Sequence, residues 1–293
     1  MSFNNMILLG DCLEVLKDVG DASIDLIYLD PPYLTNKDWG EFDDTWRMVD
    51  FEDELGEHIW DKHPKVEALI DAAELIKDDS ACAYIIMMSV RLIELRRVLK
   101  DTGSIYLHCD QYACHFLKLV MDSIFGNQQF QNEIIWAYRT GGVSKSRFAR
   151  KHDNIFFYTK TDKYTFNESR EKSYVSAASA GMKAYGHKGK EYMLLEDEGG
   201  VYRQVVMRDV WHIDATGTVS HERLGYPTQK PLELLKRIVA ASSNEGDVVL
   251  DPFCGSGTTL LAAQSMNRRW IGIDKNPNAI RIAKSRLHQR TLL

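Results

Sequence analysis

Positions 248–259 read VVLDPFCGSGTT, and this stretch decides the fold class of the chain. The apolar run Val248 to Leu250 predicts a short buried strand, and the glycines at 255 and 257 predict a tight turn into a helix. A buried strand that leads straight into a helix is typical of a parallel α/β sheet. The same order follows at 270–288, where an apolar strand precedes a helical pattern.

A second strand of this kind, IDLIYL at 24–29, is followed by Asp30-Pro31-Pro32-Tyr33. Because proline has no N–H to donate, two consecutive prolines end the strand pairing. Asp30 and Tyr33 are therefore expected in a loop at the carboxyl end of a central strand, where open α/β sheets bind their ligands.

Weaker signals cover most of the remaining chain. Strands are expected near 5–11, 104–108, 133–138 and 154–159, and helices near 12–19, 83–99, 112–125, 231–242 and 277–288. Two stretches break this pattern. Residues 34–79 are acidic and aromatic and indicate a partly helical insertion, whereas residues 161–226 indicate a second module of low apolar density.

The composition is that of a globular protein. Of 293 residues, 44% are hydrophobic and 27% are charged, which excludes a disordered or collagen-like chain. No apolar run reaches the roughly 18 to 20 residues of a membrane span, and no secretory signal is visible, so we expect a cytoplasmic protein without a membrane partner. Five scattered cysteines without metal-ligand spacing predict reduced thiols and no metal site.

Charge is distributed unevenly along the chain. Residues 1–80 carry 21 acids and 6 bases, whereas residues 81–293 carry 21 acids and 30 bases, in a chain of net charge −6. The window 139–160 holds six bases against the single acid Asp153 and is too long and too basic for a simple hairpin turn. A protein with this asymmetry can present its basic side to phosphates, although a solvated basic loop is the alternative.

The glycine-rich turn has the features of a nucleoside site. Glycine lets the backbone approach a ligand, and the first N–H groups of the following helix can bind a carboxylate. Asp274, 17 residues beyond Gly257 at the end of the next strand, suits the two hydroxyls of a ribose. A dinucleotide fingerprint would need a third glycine at Leu260, and a phosphate-binding loop would need Gly-Lys-Ser/Thr at 257–259. S-adenosylmethionine fits better, unless the turn is purely structural and its acid incidental.

The Asp30-Pro31-Pro32-Tyr33 motif suits the activation of a weakly nucleophilic amine, such as an exocyclic amine whose lone pair is delocalised into a base ring. If the Asp30 carboxylate and the Pro31 carbonyl each accept one amino hydrogen, the lone pair turns toward a methyl donor. The ring of Tyr33 can then stack on the base. The alternative is a strand-ending turn without chemistry, which such residues also form.

Together these motifs resemble those of the β class of amino-methylating DNA methyltransferases, and the resemblance covers nearly the whole chain. Asp30–Tyr33 is similar to the catalytic motif, 251–259 to the cofactor motif, and YPTQKPL at 226–232 to the motif that closes over the methionine portion of the cofactor. The catalytic motif comes first, which is the permuted order of this class. LGDC at 9–12 resembles the segment that contacts the cofactor adenine, and KHDNIFFY at 151–158 resembles a strand near the flipped base.

The resemblance implies an α/β fold with a seven-stranded, largely parallel Rossmann-like sheet, circularly permuted, with helices on both faces. Residues 1–160 would form the catalytic part, 161–226 a target-recognition region and 227–293 the cofactor-binding part, while the insertion at 34–79 has no assigned role. S-adenosylmethionine is the implied cofactor and double-stranded DNA the implied partner. A homodimer and a cognate restriction endonuclease are further expectations.

The residues assigned to catalysis are Asp30, Pro31, Pro32 and Tyr33. The residues assigned to the cofactor are Asp11, Cys12, Thr228, Lys230, Asp251, Phe253, Gly255, Ser256, Gly257, Thr258 and Asp274. The residues assigned to DNA come from the basic window and are Arg139, Lys145, Arg147, Arg150 and Lys151.

The leading hypothesis is a sequence-specific adenine-N6 DNA methyltransferase. In the resembling class, Asp at the first motif position is typical of adenine enzymes and Ser of cytosine-N4 enzymes, so Asp30 favours adenine while cytosine N4 stays open. Methylation at cytosine C5 needs a cysteine nucleophile that follows a proline, and the chain has no Pro-Cys dipeptide. An RNA or protein-amide enzyme is disfavoured because it usually has Asn at that position and lacks the permuted order. The alternative from another class is a catalytically idle DNA-binding homologue, against which the intact Asp30 and Gly255 weigh.

Overall fold

The computed structural model describes residues 5–34, 46–47, 62–76, 79–139, 143–175, 193–216 and 222–289. The chain divides into two compact units, one formed by Met1–Phe166 with Val210–Leu293 and the other by Asn167–Asp209. The second unit lies within the predicted recognition region 161–226, whereas the residues from 210 onward belong to the first unit. The assignment of this region to DNA recognition stays a prediction.

Eight strands form the large sheet of the first unit, in the order β1-β11-β10-β2-β3-β5-β4-β9. They are β1 (Met6–Leu9), β2 (Ile24–Leu29), β3 (Leu99–Cys109), β4 (Phe130–Ala137), β5 (His152–Thr159), β9 (Val210–His212), β10 (Val248–Asp251) and β11 (Arg269–Asp274). The five strands from β1 to β3 are mutually parallel, and β5 runs antiparallel to both β3 and β4. The predicted largely parallel α/β sheet is therefore confirmed. The strand beyond the expected seven is the short β9, which pairs in parallel with β4 from Ile135 to Ala137.

Seven α-helices accompany this sheet in the described part of the chain. They are α1 (Cys12–Leu16), α2 (Pro64–Ile76), α3 (Asp79–Val98), α4 (Cys114–Phe125), α5 (Leu232–Ser242), α6 (Thr258–Ser265) and α7 (Pro277–Gln289). Helix α2 lies within the acidic insertion at 34–79, whose residues 35–45, 48–61 and 77–78 lie outside the described residues. None of the described helices is long and apolar enough to cross a membrane.

The centre of the sheet explains the continuous apolar runs in the sequence. In β2, Leu26, Ile27 and Leu29 are completely buried, because the strand has parallel neighbours on both sides and side chains packed on both faces. Helix α3 is buried over most of its length, including the charged Arg91. Most of the apolar residues of these elements form one continuous core with the helices.

The pairing of β10 with β2 is the step that assembles the site. Val249 and Leu250 lie beside Leu26 and Ile27, although the two strands are separated by most of the chain. Because parallel strands end at the same edge of a sheet, the loops that follow β2 and β10 lie next to each other. This pairing brings the two sequence motifs together.

The second unit contains a small antiparallel sheet in the order β6-β8-β7, formed by β6 (Arg170–Tyr174), β7 (Leu195–Asp197) and β8 (Gly200–Val206). The sequence analysis predicts no strands in this region. The reason is that these strands have no fully buried residue. They are joined by surface contacts instead, such as the tilted ring pair Tyr174–Tyr202 with centroids 5.7 Å apart.

Candidate active site

A cavity of about 760 Å³ opens at the carboxyl ends of the parallel strands in the first unit. Asp30 directly follows β2 and Asp251 is the last residue of β10. The volume falls within the range of pockets that enclose small cofactors. All residues predicted for catalysis and for the cofactor line this cavity, with the exception of Gly257. The structure therefore brings the two predicted sets together, while the role of each residue stays a prediction.

Gly257 shapes the loop from behind the cavity. It has a φ of +76°, in the left-handed region, and precedes the first residue of α6. A Cβ atom at this position would lie 2.9 Å from the Cβ of Ala283 in α7, which is closer than such atoms approach. Glycine is therefore required at 257 by the backbone conformation and by the packing of α7, independently of any ligand.

Asp274 ties the ends of two loops together at the edge of the cavity. Its Oδ2 accepts a hydrogen bond from the Gly255 N–H at 2.8 Å, and its Oδ1 accepts one from the Asn276 N–H at 2.8 Å. Burial raises the pKa of Asp274 above its ordinary value. Each carboxylate oxygen keeps a second acceptor site, so Asp274 can still receive two hydroxyl groups from the cavity.

Asp251 is more deeply buried and stabilises the turn after β10. Its Oδ1 accepts from the Phe253 N–H at 3.0 Å, and the hydroxyl of Thr259 bonds to the same carboxyl group. Burial raises the pKa of Asp251 to about 7, with smaller contributions from the negative charges of Asp30 and Asp274. We therefore assign Asp251 to the support of the loop, although it also lines the cavity.

Asp30 is held by two partners in the cavity wall. The Tyr33 hydroxyl donates to Oδ1 of Asp30 at 2.8 Å, and the Lys230 ammonium donates to Oδ2 of Asp30. Lys230 also lies 3.2 Å from the hydroxyl oxygen of Tyr33. The sequence analysis expects Lys230 at the methionine portion of the cofactor, whereas in the structure its ammonium contacts the residue predicted to bind the target amine.

The turn that carries Thr228 and Lys230 is held under strain. Thr228 has a φ of +56°, a left-handed conformation that is costly for a β-branched residue. The Gln229 side chain fixes this turn, because it accepts from the Leu224 N–H at 3.0 Å and donates to the Glu222 carbonyl at 2.6 Å. These hydrogen bonds fix the turn so that Thr228 and Lys230 line the cavity.

Asp11 and Cys12 begin α1 at the opposite side of the cavity. Oδ1 of Asp11 caps the helix by accepting from the Leu13 N–H at 2.8 Å. Oδ2 of Asp11 accepts from the Arg91 guanidinium at 2.8 Å, and Arg91 also donates to the Met87 carbonyl at 3.0 Å. The sequence analysis missed Arg91 as a site residue. The available signal is its charge within the largely apolar stretch 81–93 of α3.

A buried polar network lies beneath the ring of Tyr33. The Tyr28 hydroxyl lies 2.9 Å from Nδ1 of His108, and Nε2 of His108 lies 3.4 Å from the carboxylate of Asp153. Tyr138 donates to the same carboxylate at 3.2 Å. Burial alone would raise the pKa of Asp153, but the hydrogen bond and charge of His108, with the charge of Lys230, lower it below its ordinary value. Sequence reasoning missed this network, because its members come from four different strands or strand ends.

The five basic residues predicted to bind DNA lie at or near the surface at the β4–β5 connection, of which residues 140–142 lie outside the described part. Arg139 forms an exposed ion pair with Asp214. Arg150 stacks its guanidinium 4.7 Å from the centre of the Tyr112 ring. Lys145 and Arg147 are exposed. The structure therefore keeps these side chains outside the cavity, in positions open to a large partner.

The residues around the cavity fit S-adenosylmethionine. Asp274 brings a carboxylate to the cavity that suits a cationic sulfonium group, whereas the carboxylate of Asp30 is paired with Lys230. The glycine loop before α6 offers backbone N–H groups to a carboxylate, and Asp274 offers acceptors to ribose hydroxyls. Among the described residues no group of His, Cys, Asp and Glu could hold a metal ion.

Comparison with known proteins identifies the family. Residues 24–285 match the DNA methylase family N6_N4_Mtase. The chain is 31% identical to the DNA adenine methyltransferase YhdJ of Escherichia coli, over 96% of this chain and 82% of that protein. It is also 31% identical to the Type II methyltransferase M.EcaI of Enterobacter cloacae, over 86% of this chain and 62% of that protein. The chain thus spans less than two thirds of the length of M.EcaI.

The fold comparison agrees with the sequence comparison. The crystal structure of the M1.HpyAVI–SAM complex superposes with a TM-score of 0.59 at 18% identity, over 96% of this chain and 98% of the other. At that identity the likeness concerns the fold alone. The family match covers both motifs and the strands that carry them. This chain therefore belongs to the N6/N4 family of S-adenosylmethionine-dependent DNA methyltransferases.

Proposed function

We propose that this protein transfers a methyl group from S-adenosylmethionine to the N6 amino group of adenine within a specific sequence of double-stranded DNA. The observation that carries the proposal is the position of Asp30. Its carboxylate lies in the wall of the cavity and accepts a hydrogen bond from Tyr33, in the loop after β2 that the β2–β10 pairing brings next to the loop after β10. Asp rather than Ser at this position supports adenine over cytosine.

The amine is activated by hydrogen bonding to the wall of the cavity. Asp30 accepts one amino hydrogen and the Pro31 carbonyl accepts the other, so that the nitrogen lone pair is directed away from the base ring. S-adenosylmethionine, when bound, supplies the methyl group as an electrophilic carbon on sulfur. With the cofactor bound, the amine nitrogen would form a bond to the methyl carbon while the carbon–sulfur bond breaks and the sulfur leaves as a neutral thioether. The proton that the amine loses would pass to Asp30 and then to solvent.

Tyr33 has two tasks in this proposal. Its ring provides a face on which the flipped adenine stacks, and its hydroxyl orients the Asp30 carboxylate through the 2.8 Å hydrogen bond. Burial and the nearby charge of Asp30 raise the pKa of Tyr33 well above its ordinary value, so the hydroxyl stays a donor. The ring of His108 lies 6.4 Å from that of Tyr33, tilted by 31°.

The cofactor is assigned to the part of the cavity between β1, β10 and β11. Asp274 binds the ribose hydroxyls, the backbone of Phe253 to Thr258 binds the carboxylate end, and Asp11 with Cys12 lies against the adenine. These assignments are supported by the common cavity that the residues line.

DNA contacts are assigned to the basic β4–β5 connection and to the region 161–226. The 143–151 segment is supported by its charge and exposure. A homodimer and a cognate restriction endonuclease stay predictions of the family resemblance.

The test is to express the protein in a bacterial host that lacks its own DNA methyltransferases and to sequence the genomic DNA by a method that reports modified bases. We expect N6-methyladenine at one recurring sequence, and none in cells that express Asp30→Ala. N4-methylcytosine instead would retain the family but refute adenine as the target. Unmodified DNA, together with normal binding of S-adenosylmethionine by the purified protein, would indicate an idle homologue.

A further inference from the structure

Phe148 is the most exposed large aromatic side chain of the described residues, and it lies in the basic segment 143–151. The side chain is 98% exposed, and Val143 in the same segment is 94% exposed. Isolated exposed apolar residues are ordinary. Phe148 differs because it follows the exposed Arg147 directly and precedes Arg150 by two residues. The segment therefore combines an aromatic ring with positive charges that attract phosphates.

The end of the segment that follows Phe148 is fixed to the body of the first unit. Arg150 donates to the hydroxyl of Tyr112 and stacks on its ring, with 4.7 Å from the guanidinium carbon to the ring centre. The Asp110 side chain fixes the turn that carries Tyr112, because Oδ1 accepts from the Tyr112 N–H at 3.1 Å and from the Ala113 N–H at 2.9 Å. Phe148 is thus presented to solvent two residues from an anchored position.

The base of the segment is linked to the wall of the catalytic cavity by a chain of side-chain contacts. The Tyr138 N–H donates to the Lys151 carbonyl at 3.0 Å, which closes the segment, and the Tyr138 hydroxyl donates to Asp153 at 3.2 Å. Asp153 contacts His108, whose ring lies 6.4 Å from the ring of Tyr33. Few side chains therefore separate the base of the segment from the ring on which the target base is proposed to stack.

We propose that Phe148 inserts into the DNA base stack and occupies the space that the target base leaves when it enters the cavity. The inference rests on the proposed DNA methyltransferase function but not on the choice between adenine and cytosine. Extrusion of a base costs the stacking and pairing of that base. An apolar wedge restores part of the lost stacking, which is the way in which inserted side chains stabilise distorted DNA. Lys145 and Arg147 hold the backbone on either side of the gap.

The test compares Phe148→Ala with the wild-type enzyme on two duplexes that differ only at the partner of the target base. In one duplex the target is correctly paired, and in the other it faces a mismatched base, which is extruded more easily. We expect Phe148→Ala to lower kcat/KM on the paired duplex by about tenfold, in line with the loss of one aromatic–base stack. On the mismatched duplex the loss should be much smaller. With adenine as the target, fluorescence of 2-aminopurine at the target position should rise on binding of the wild type and much less on binding of Phe148→Ala; the comparison of the two duplexes serves for either base.

Two further variants separate the effect of the aromatic ring from that of shortening any exposed apolar side chain. Phe148→Trp should restore kcat/KM on the paired duplex. Leu75→Ala, which shortens an exposed apolar side chain on α2 outside the segment, should behave as wild type. Equal rates of Phe148→Ala and wild type on the paired duplex would overturn the inference, and so would an equal loss on both duplexes. A wild-type protein that leaves both duplexes unmethylated would instead refute the proposed function, and this inference with it.

Discussion

The ammonium of Lys230 donates a hydrogen bond to the carboxylate of Asp30, 200 residues earlier in the chain. The side chains are only 10% and 18% exposed, and Lys230 also lies 3.2 Å from the Tyr33 hydroxyl. Removal of one partner from a largely buried ion pair leaves the other charge uncompensated, which is costly. Lys230 therefore positions the carboxylate that the proposed chemistry uses, and the target amine has to share or replace this hydrogen bond.

We expect Lys230→Met to lower kcat for methyl transfer about tenfold or more, because a hydrogen bond to a charged group contributes about 1.5–3 kcal/mol and 1.4 kcal/mol corresponds to tenfold. The affinity for S-adenosylmethionine should stay close to that of the wild type, because the structure places the ammonium on Asp30. Single-turnover kinetics and calorimetry give the two quantities. Lys284→Met, at an exposed position on α7, is the control. A large loss of cofactor affinity in Lys230→Met would mean that the ammonium serves the cofactor carboxylate instead.

Asp274→Ala should weaken the binding of S-adenosylmethionine by about 1.5–3 kcal/mol, since the change removes charge-assisted acceptors for the ribose hydroxyls. Part of the loss comes from the loop, whose Gly255 N–H would lose its 2.8 Å partner. Asp274→Asn keeps one acceptor oxygen for the N–H groups of Gly255 and Asn276, and should bind the cofactor with intermediate affinity. Asp30→Ala, in the same cavity, is the matched control and should bind the cofactor normally while it fails to transfer methyl groups. Unchanged calorimetric affinity in Asp274→Ala would remove Asp274 from the cofactor site.

Asp251 should make the stability of the fold depend on pH. Burial raises its pKa from 3.8 to about 7 in the folded chain, whereas in the unfolded chain the carboxyl group titrates near its ordinary value. Between these two values the folded state binds more protons than the unfolded state, so this contribution to stability is complete below about pH 4 and is lost as the pH rises toward 7. The loss amounts to about 1.4 kcal/mol for each pH unit.

Asp251→Asn, which does not titrate, should therefore gain stability relative to the wild type by about 1.4 kcal/mol per unit between pH 5 and pH 6.5. The difference should level off above about pH 7.5. Urea unfolding at four pH values measures it, with the exposed Asp18→Asn as a control that shows no such trend. A constant difference between Asp251→Asn and the wild type across this range would show that Asp251 is already ionised in the folded protein.

The large sheet could be predicted from the sequence because its central strands are buried on both faces. The apolar runs at 24–29 and 248–250 leave no other interpretation once a proline pair or a glycine turn ends them. The strands of the second unit could not be predicted, because half-exposed strands such as β6, with Arg170 and Lys172, carry no apolar pattern.

The same distinction applies to the site. Residues on the two loops could be predicted, because each motif is contiguous in the sequence. Contacts such as that of Lys230 with Asp30, or of Arg91 with Asp11, depend on the approach of segments far apart in the chain. Their partners cannot be deduced from spacing.

The last prediction concerns the salt dependence of DNA binding. Each cation that neutralises a phosphate contributes about 0.9 to the slope of log affinity against log salt concentration. In the basic segment Arg150 is engaged by Tyr112, and Lys151 donates to the Arg139 carbonyl at 3.2 Å, whereas Lys145 and Arg147 are exposed. The double change Lys145→Gln with Arg147→Gln should therefore lower the magnitude of the slope by about two units. The additional changes Arg150→Gln and Lys151→Gln should extend the loss to at most about four units.

Fluorescence anisotropy at several salt concentrations gives the slope, and calorimetry should show unchanged affinity for S-adenosylmethionine. A pair of exposed lysines on helices outside the segment, Lys65→Gln with Lys284→Gln, is the control for net charge. If the quadruple variant keeps the wild-type slope, the phosphates lie elsewhere, and the region 161–226 becomes the better candidate, because the remaining basic residues of the chain are concentrated beyond position 80.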